Sequence, residues 1–124
     1  MTETRRYDVA ARSTDVFGRV LLTARQHRFL SDGPVHNEAA GEEITPAELF
    51  LAGVASCAVE LVQVIARRED VPLAGVETAI SGEIEPDNPV RPDVALFNRV
   101  RLDFRLVGVT DEQAEALVER FKHT

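Results

Sequence analysis

The most continuous hydrophobic pattern in the chain runs from Thr45 to Arg68. Between Leu49 and Ala66 only Gly53, Ser56, Cys57, Glu60 and Gln63 interrupt the apolar positions, so apolar residues cover most of a helix's circumference. A helix of that kind is buried on most sides. Its start is written in the residues before it. Thr45 can cap the first free backbone N–H groups, Pro46 fits the first turn, where its missing N–H costs nothing, and Glu48 can reach back to the amide of Thr45 to complete a capping box. At about 1.5 Å per residue the helix is roughly 35 Å long, enough to hold together a core or a dimer.

Shorter alternating patterns flank it. Residues 5–13, RRYDVAARS, place Tyr7, Val9 and Ala11 on one side and predict a strand. Arg19–Ala24 is a second strand, and His27–Leu30 is a third or its continuation. The polar stretch SDGPVHNEAAGEEI leads into the long helix. After that helix, residues 75–84 alternate as a half-buried strand, with Val76, Thr78, Ile80 and Ile84 on one face. EPDNPVRPD holds three prolines and predicts a loop. In residues 97–107, Val100, Leu102, Phe104 and Leu106 face one way, and Arg99, Arg101, Asp103 and Arg105 the other. Residues 111–121 predict a second helix, opened by a capping box of Thr110 with Gln113 and striped by Ala114, Leu117, Val118 and Phe121. Strands interrupted by two helices predict an α+β domain, with helices on an antiparallel sheet.

Composition narrows the functional classes. A chain of 124 residues is expected to form one domain. A net charge of −7 argues against nucleic acid and anionic membrane surfaces as partners. Ser56, Glu60 and Gln63 break the longest apolar run, so no membrane-spanning segment is expected, and the N-terminal residues lack the apolar core of a signal peptide. The single cysteine cannot form an internal disulfide, which suits a reducing cytoplasm.

Cys57 is the one residue whose chemistry stands out. Free cysteines are among the most buried residue types and often serve as small hydrophobes. In the middle of a helix the macrodipole gives a thiolate no help. Reactivity therefore needs a cation supplied by the fold, with Arg19, Arg25 and Arg28 as candidates. His27, His36 and His123 are too scattered for metal-ligand spacing, and one cysteine writes no zinc pattern. Asp32, His36, Glu38, Glu42 and Glu43 could bind a cation, but a charged loop is usually solvated. No dinucleotide, phosphate-loop or hydrolase fingerprint is present, so neither a metal nor a cofactor is expected.

The stretch Thr45-Pro46-Ala47-Glu48-Leu49-Phe50-Leu51-Ala52-Gly53-Val54-Ala55-Ser56-Cys57 resembles the signature of the OsmC/Ohr family, the osmotically induced and organic-hydroperoxide-resistance proteins. In that family a Pro-x-Glu-Leu or Pro-Glu-x-Leu opening leads through a small, apolar helix to a peroxide-reactive cysteine. RVLLTARQHRFLSDGP resembles the strand pair and Asp-x-Pro loop before the helix. VPLAGVETAISGEI and FNRVRLDFRLVGVTDEQAEALVERF resemble the strand, next strand and helix after it, so the resemblance covers nearly the whole chain.

The resemblance implies an OsmC-like fold over residues 1–124 as a single domain, with the long helices packed centrally in an intertwined homodimer and two sites at the interface. In the family's peroxidases a thiolate attacks the peroxide, an Arg stabilises the thiolate and a Glu orients the Arg. By resemblance, Cys57 is the peroxidatic residue, Arg19, in FGRV, matches the Arg, and Glu48 matches the Glu of the looser OsmC-like pattern. Strict hydroperoxide-resistance members carry the Glu where this chain has Ala47. Leu49, Phe50 and Val54 would favour organic hydroperoxides. The family's second cysteine and final strand follow the second helix and are not among these residues. The expectation is a chain lacking the family's C-terminal part, or a one-cysteine member resolved by an external thiol or dithiol such as a lipoylated protein. The rival function is a non-catalytic, OsmC-like binder of a small apolar ligand with Cys57 buried; a third is a purely structural role.

Overall fold

The computed structural model describes residues 3–93 and 96–124. In chain order the elements are β1 (Ala10–Ser13), β2 (Arg19–Ala24), β3 (His27–Asp32), a short 3-10 turn (Val35–Asn37), α1 (Pro46–Arg68), β4 (Gly75–Glu83), β5 (Arg99–Val107) and α2 (Asp111–Lys122). The architecture is α+β with antiparallel pairing throughout. The strands fall into two sheets, β1-β2-β3 and β4-β5, because each set pairs with its own sequence neighbours. The chain divides into two compact units, Met1–Phe50 and Leu51–Thr124, with the boundary inside α1.

In the first unit, Arg25 and Gln26 form a two-residue turn between β2 and β3, and Arg25 adopts the left-handed φ of 55° that such a turn requires. The turn fixes an antiparallel register in which partner numbers add to 51, from Ala24 opposite His27 to Arg19 opposite Asp32. The first predicted strand shortens to four residues. Ala10 already lies opposite Thr23, so residues before Val9 run past the end of β2 and have no ladder to join. Tyr7, at 85 % exposure, accordingly stands in solvent. At the other end of the sheet, Gly18 has φ +80°, and a side chain there would lie 2.5 Å from Ala39 Cβ. Glycine thus permits both the turn and the close approach of the loop that follows β3.

In the second unit, β4 and β5 pair over their full length, from Gly75 opposite Val107 to Glu83 opposite Arg99. The sheet stops there because Asn98 closes the proline-rich loop, accepting from the Glu85 amide and donating to the Asn88 carbonyl. The predicted alternation holds at Val76, Thr78, Ile80, Leu102, Phe104 and Leu106, whereas Ile84, just past β4, and Val100, near the start of β5, are each 49 % exposed. Val76, Leu106 and Phe104 turn inward onto a core of Val62, Ile65 and Ala66 from α1 and Leu117 from α2. Phe104 meets Phe121 edge-on, with ring centroids 5.4 Å apart. Both capping boxes form, Thr45 with Glu48 and Thr110 with Gln113.

The long helix departs from expectation in one respect. Its buried residues, Ala58, Val62, Ile65 and Ala66, all lie in its C-terminal half. β4, β5 and α2 cover that half, whereas Ala52, Gly53, Val54, Ser56 and Cys57 remain exposed. By length and composition α1 is the one helix among the described residues able to cross a membrane, yet its last turns are packed as the core helix of a globular unit.

Candidate functional site

Arg19, Glu48 and Cys57 sit in three distinct local settings. Arg19 opens β2 opposite Asp32, the last residue of β3. Its Nε donates to Asp32 Oδ1 at 2.9 Å and its Nη2 to Asp32 Oδ2 at 2.9 Å, a bidentate pair. The same Nη2 donates to Glu42 Oε1 at 2.6 Å. The Asp32 side chain is fully buried, and the amides of Glu42 and Glu43 donate to its Oδ2 at 2.8 and 2.9 Å. Its own backbone N–H donates to the Ile44 carbonyl, so the 42–44 segment is stitched to the end of β3 by backbone and side chain together.

The electrostatics follow from those bonds. The Arg19 guanidinium, and after it the two loop amides, hold the Asp32 carboxyl far below the usual carboxylate range against the opposing effect of burial. Asp32, and then Glu42, raise Arg19 further above its already high value. The buried charge of Asp32 is thereby both paired and hydrogen-bonded, which is the condition for burying a carboxylate at all.

Glu48 lies in the first turn of α1. Its Oε1 accepts from the Thr45 amide at 3.0 Å and from the Thr45 hydroxyl at 2.9 Å, and the Glu48 amide returns a bond to Thr45 Oγ1 at 3.3 Å. The Thr45 amide, then its hydroxyl, lower the Glu48 carboxyl. The sequence-level expectation of a reciprocal cap is realised, and the carboxylate that caps the helix is the one the resemblance makes a site residue.

Cys57 is exposed near the middle of α1. Its neighbours along the helix surface are Gly53 and Val54 on one side and Glu60 and Leu61 on the other, at three- and four-residue spacing. The helix itself therefore offers the thiol a small residue, an apolar one and, at Glu60, an exposed carboxylate. No Lys or Arg stands at that spacing from Cys57, so a cation that serves it must come from outside this stretch of α1. Among the described residues no cluster of His, Cys, Asp or Glu could hold a metal ion.

Asp32 and Glu42 are the residues that sequence reasoning did not assign to Arg19, having treated them as part of a solvated loop. The signal was available. Once Arg25 and Gln26 are read as a two-residue turn, the register places Asp32 directly opposite Arg19.

The exposed cysteine on a capped central helix and the α+β topology define a class. Residues 39–124 match the family model for OsmC-like protein, and the chain belongs to the OsmC-like family. Solved structures agree on the fold. An OsmC-like protein from Mycoplasma pneumoniae is similar with a TM-score of 0.80 and 14 % identity, over 96 % of this chain and 82 % of that one. An organic hydroperoxide resistance protein OsmC from Legionella pneumophila gives 0.74 and 20 %, over 97 % and 84 %. An organic hydroperoxide resistance protein from Elizabethkingia anophelis, with thiocyanate bound, gives 0.75 and 18 %, over 98 % and 84 %. No curated protein matches the chain.

Proposed function

We propose that this protein reduces organic hydroperoxides through Cys57, as a cytoplasmic, dimeric stress-defence enzyme. The observation that carries the reading is the placement of the chain's one cysteine: exposed, on the central helix, inside the segment that matches the family. Structural relatives that are organic hydroperoxide resistance proteins support a peroxide-related role.

In the proposed reaction the Cys57 thiolate attacks the distal oxygen of a hydroperoxide. The O–O bond breaks, a sulfur–oxygen bond forms, and the alkoxide leaves and takes up a proton to become the alcohol. Sulfur is oxidised to the sulfenic acid as the peroxide is reduced. An external thiol then condenses with the sulfenic acid, releasing water and forming a mixed disulfide, and a second thiol or the other arm of a dithiol reduces that disulfide. Arg19 supplies the cation that favours the thiolate, and Glu48 is the acidic partner in the site. Val54, beside Cys57 on the helix surface, gives the substrate's alkyl group an apolar contact.

The homodimer is part of the same proposal. An apolar helix whose N-terminal half lies open in one chain is suited to packing against a second copy, and the small residues Ala52, Gly53 and Ser56 allow close approach. The rival reading makes Cys57 a buried structural residue of a ligand-binding protein, and the exposure of Cys57 in the chain speaks against it. The test is hydroperoxide consumption with an added dithiol. Cys57→Ser should abolish turnover and leave the circular dichroism spectrum intact, and retained turnover would sink the proposal.

A further inference from the structure

We propose that Asp32 is the positioning residue of Arg19: it fixes the guanidinium so that the edge bearing Nη1 is presented to an anionic partner. The inference rests on the reading that Arg19 is the cation serving the Cys57 thiolate, and it goes beyond the resemblance, which implies a Glu for this task.

The geometry separates two carboxylates by role. Asp32 engages both Nε and Nη2 of Arg19 at 2.9 Å, and the two-point contact fixes the plane of the guanidinium as well as its position. Asp32 is itself immobilised by full burial, by the amides of Glu42 and Glu43, and by its place in the ladder directly opposite Arg19. Glu42 meets only Nη2, and its side chain is 69 % exposed, so water competes for it and it constrains less. With Nε and Nη2 taken, the two N–H groups on Nη1 carry no hydrogen bond among the described residues. Glu48, the acid expected to orient the arginine, gives the Thr45 amide and hydroxyl its Oε1.

Removing the charge of Asp32 has two opposed consequences, and their sign decides between roles. If Asp32 acted only as a nearby negative charge offsetting Arg19, Asp32→Asn would make the surroundings of a thiolate more positive and move the alkylation of Cys57 to lower pH. If Asp32 aims the guanidinium, the same change releases Arg19 and moves it to higher pH. A role confined to folding lowers the melting temperature and leaves the profile of the folded protein where it was. The other charges in play are Glu42 on Arg19 and Glu60 beside Cys57, and both are present in every variant compared.

The experiment is the pH profile of Cys57 alkylation by iodoacetamide in the full chain, measured for parent, Arg19→Ala and Asp32→Asn. Both variants are expected to move the midpoint up by about one pH unit, or roughly a tenfold slower reaction at a fixed pH below it. A shift in Arg19→Ala with none, or a downward one, in Asp32→Asn overturns the positioning role and leaves the Arg19 reading standing. No shift in Arg19→Ala removes Arg19 from the site, and both ideas fall together. Should Asp32→Asn fail to fold, the side-chain spectrum of arginine-labelled parent protein serves instead. A guanidinium held at two points gives slowly exchanging, resolved Nη signals for Arg19, and averaged signals would overturn the proposal.

Discussion

Gly53 gives the proposed central packing of α1 a sharp test, because the free chain and the dimer predict opposite signs for one substitution. It lies in the N-terminal half of a 23-residue helix, and a side-chain carbon built on it meets nothing within 4 Å. In an isolated chain alanine is the better residue at such a site by about 0.8–1.0 kcal/mol, since glycine loses more backbone freedom on entering a helix. For a domain of this size that is a rise in melting temperature of roughly 3–5 °C. In the proposed dimer a second backbone would pass close to Gly53, and each added carbon would overpack the contact at about 1–3 kcal/mol. Two-fold symmetry applies the change twice, so association weakens by about 2–6 kcal/mol, a factor of roughly 30 or more in Kd. Sedimentation equilibrium over a concentration series reads the association, and thermal melts of the same samples read the fold. The account predicts that Gly53→Ala shifts the population toward monomer while the monomer's own helix is strengthened, and that Gly53→Leu does so more strongly. A Gly53→Leu protein as dimeric as the parent would refute packing at this face.

Three further outcomes follow from the same geometry. Leu117→Ala, in a core where Leu117 is 1 % exposed, should cost about 3–4 kcal/mol and lower the melting temperature by more than about 10 °C; a loss under about 1 kcal/mol would mean that the core of the second unit is packed otherwise. Glu48→Gln keeps an acceptor for the Thr45 amide, so the melting temperature should hardly move while hydroperoxide turnover falls roughly tenfold or more; unchanged turnover would reduce Glu48 to a cap. Because the Asp32 carboxyl is lowered in the folded protein, chiefly by Arg19, its stabilisation is present above the ordinary aspartate value and is lost as pH falls through the lower folded one. Urea titrations of Asp32→Asn should therefore show a smaller loss of stability below about pH 4 than the parent, and a parallel acid limb would contradict the pairing.

The sequence made the second unit legible because each of its elements carries its own local signal. A capping box marked the start of α2, and alternation in β4 and β5 named the inward positions Val76, Thr78, Ile80, Leu102, Phe104 and Leu106 before packing was known. The first unit was harder. β1 has the right alternation over nine residues, but its length is set by where β2 ends, a non-local fact. Arg25 is not a typical turn residue, so the β2–β3 hairpin left only a faint trace, and with it the register that pairs Arg19 with Asp32 stayed hidden. Burial of α1 was read from its composition, which describes what the helix needs covered. It does not say whether one chain can cover it, and here one chain covers only the C-terminal half.

The central claim is chemical, and intact-protein mass spectrometry tests it most directly. One equivalent of cumene hydroperoxide is added to the reduced protein and the reaction is trapped with dimedone within seconds. The account predicts a single adduct located at Cys57, one alcohol formed per subunit, and no adduct in Cys57→Ser. An unmodified Cys57 alongside unconsumed peroxide would contradict it, and the protein would then be an OsmC-like fold whose cysteine has another role.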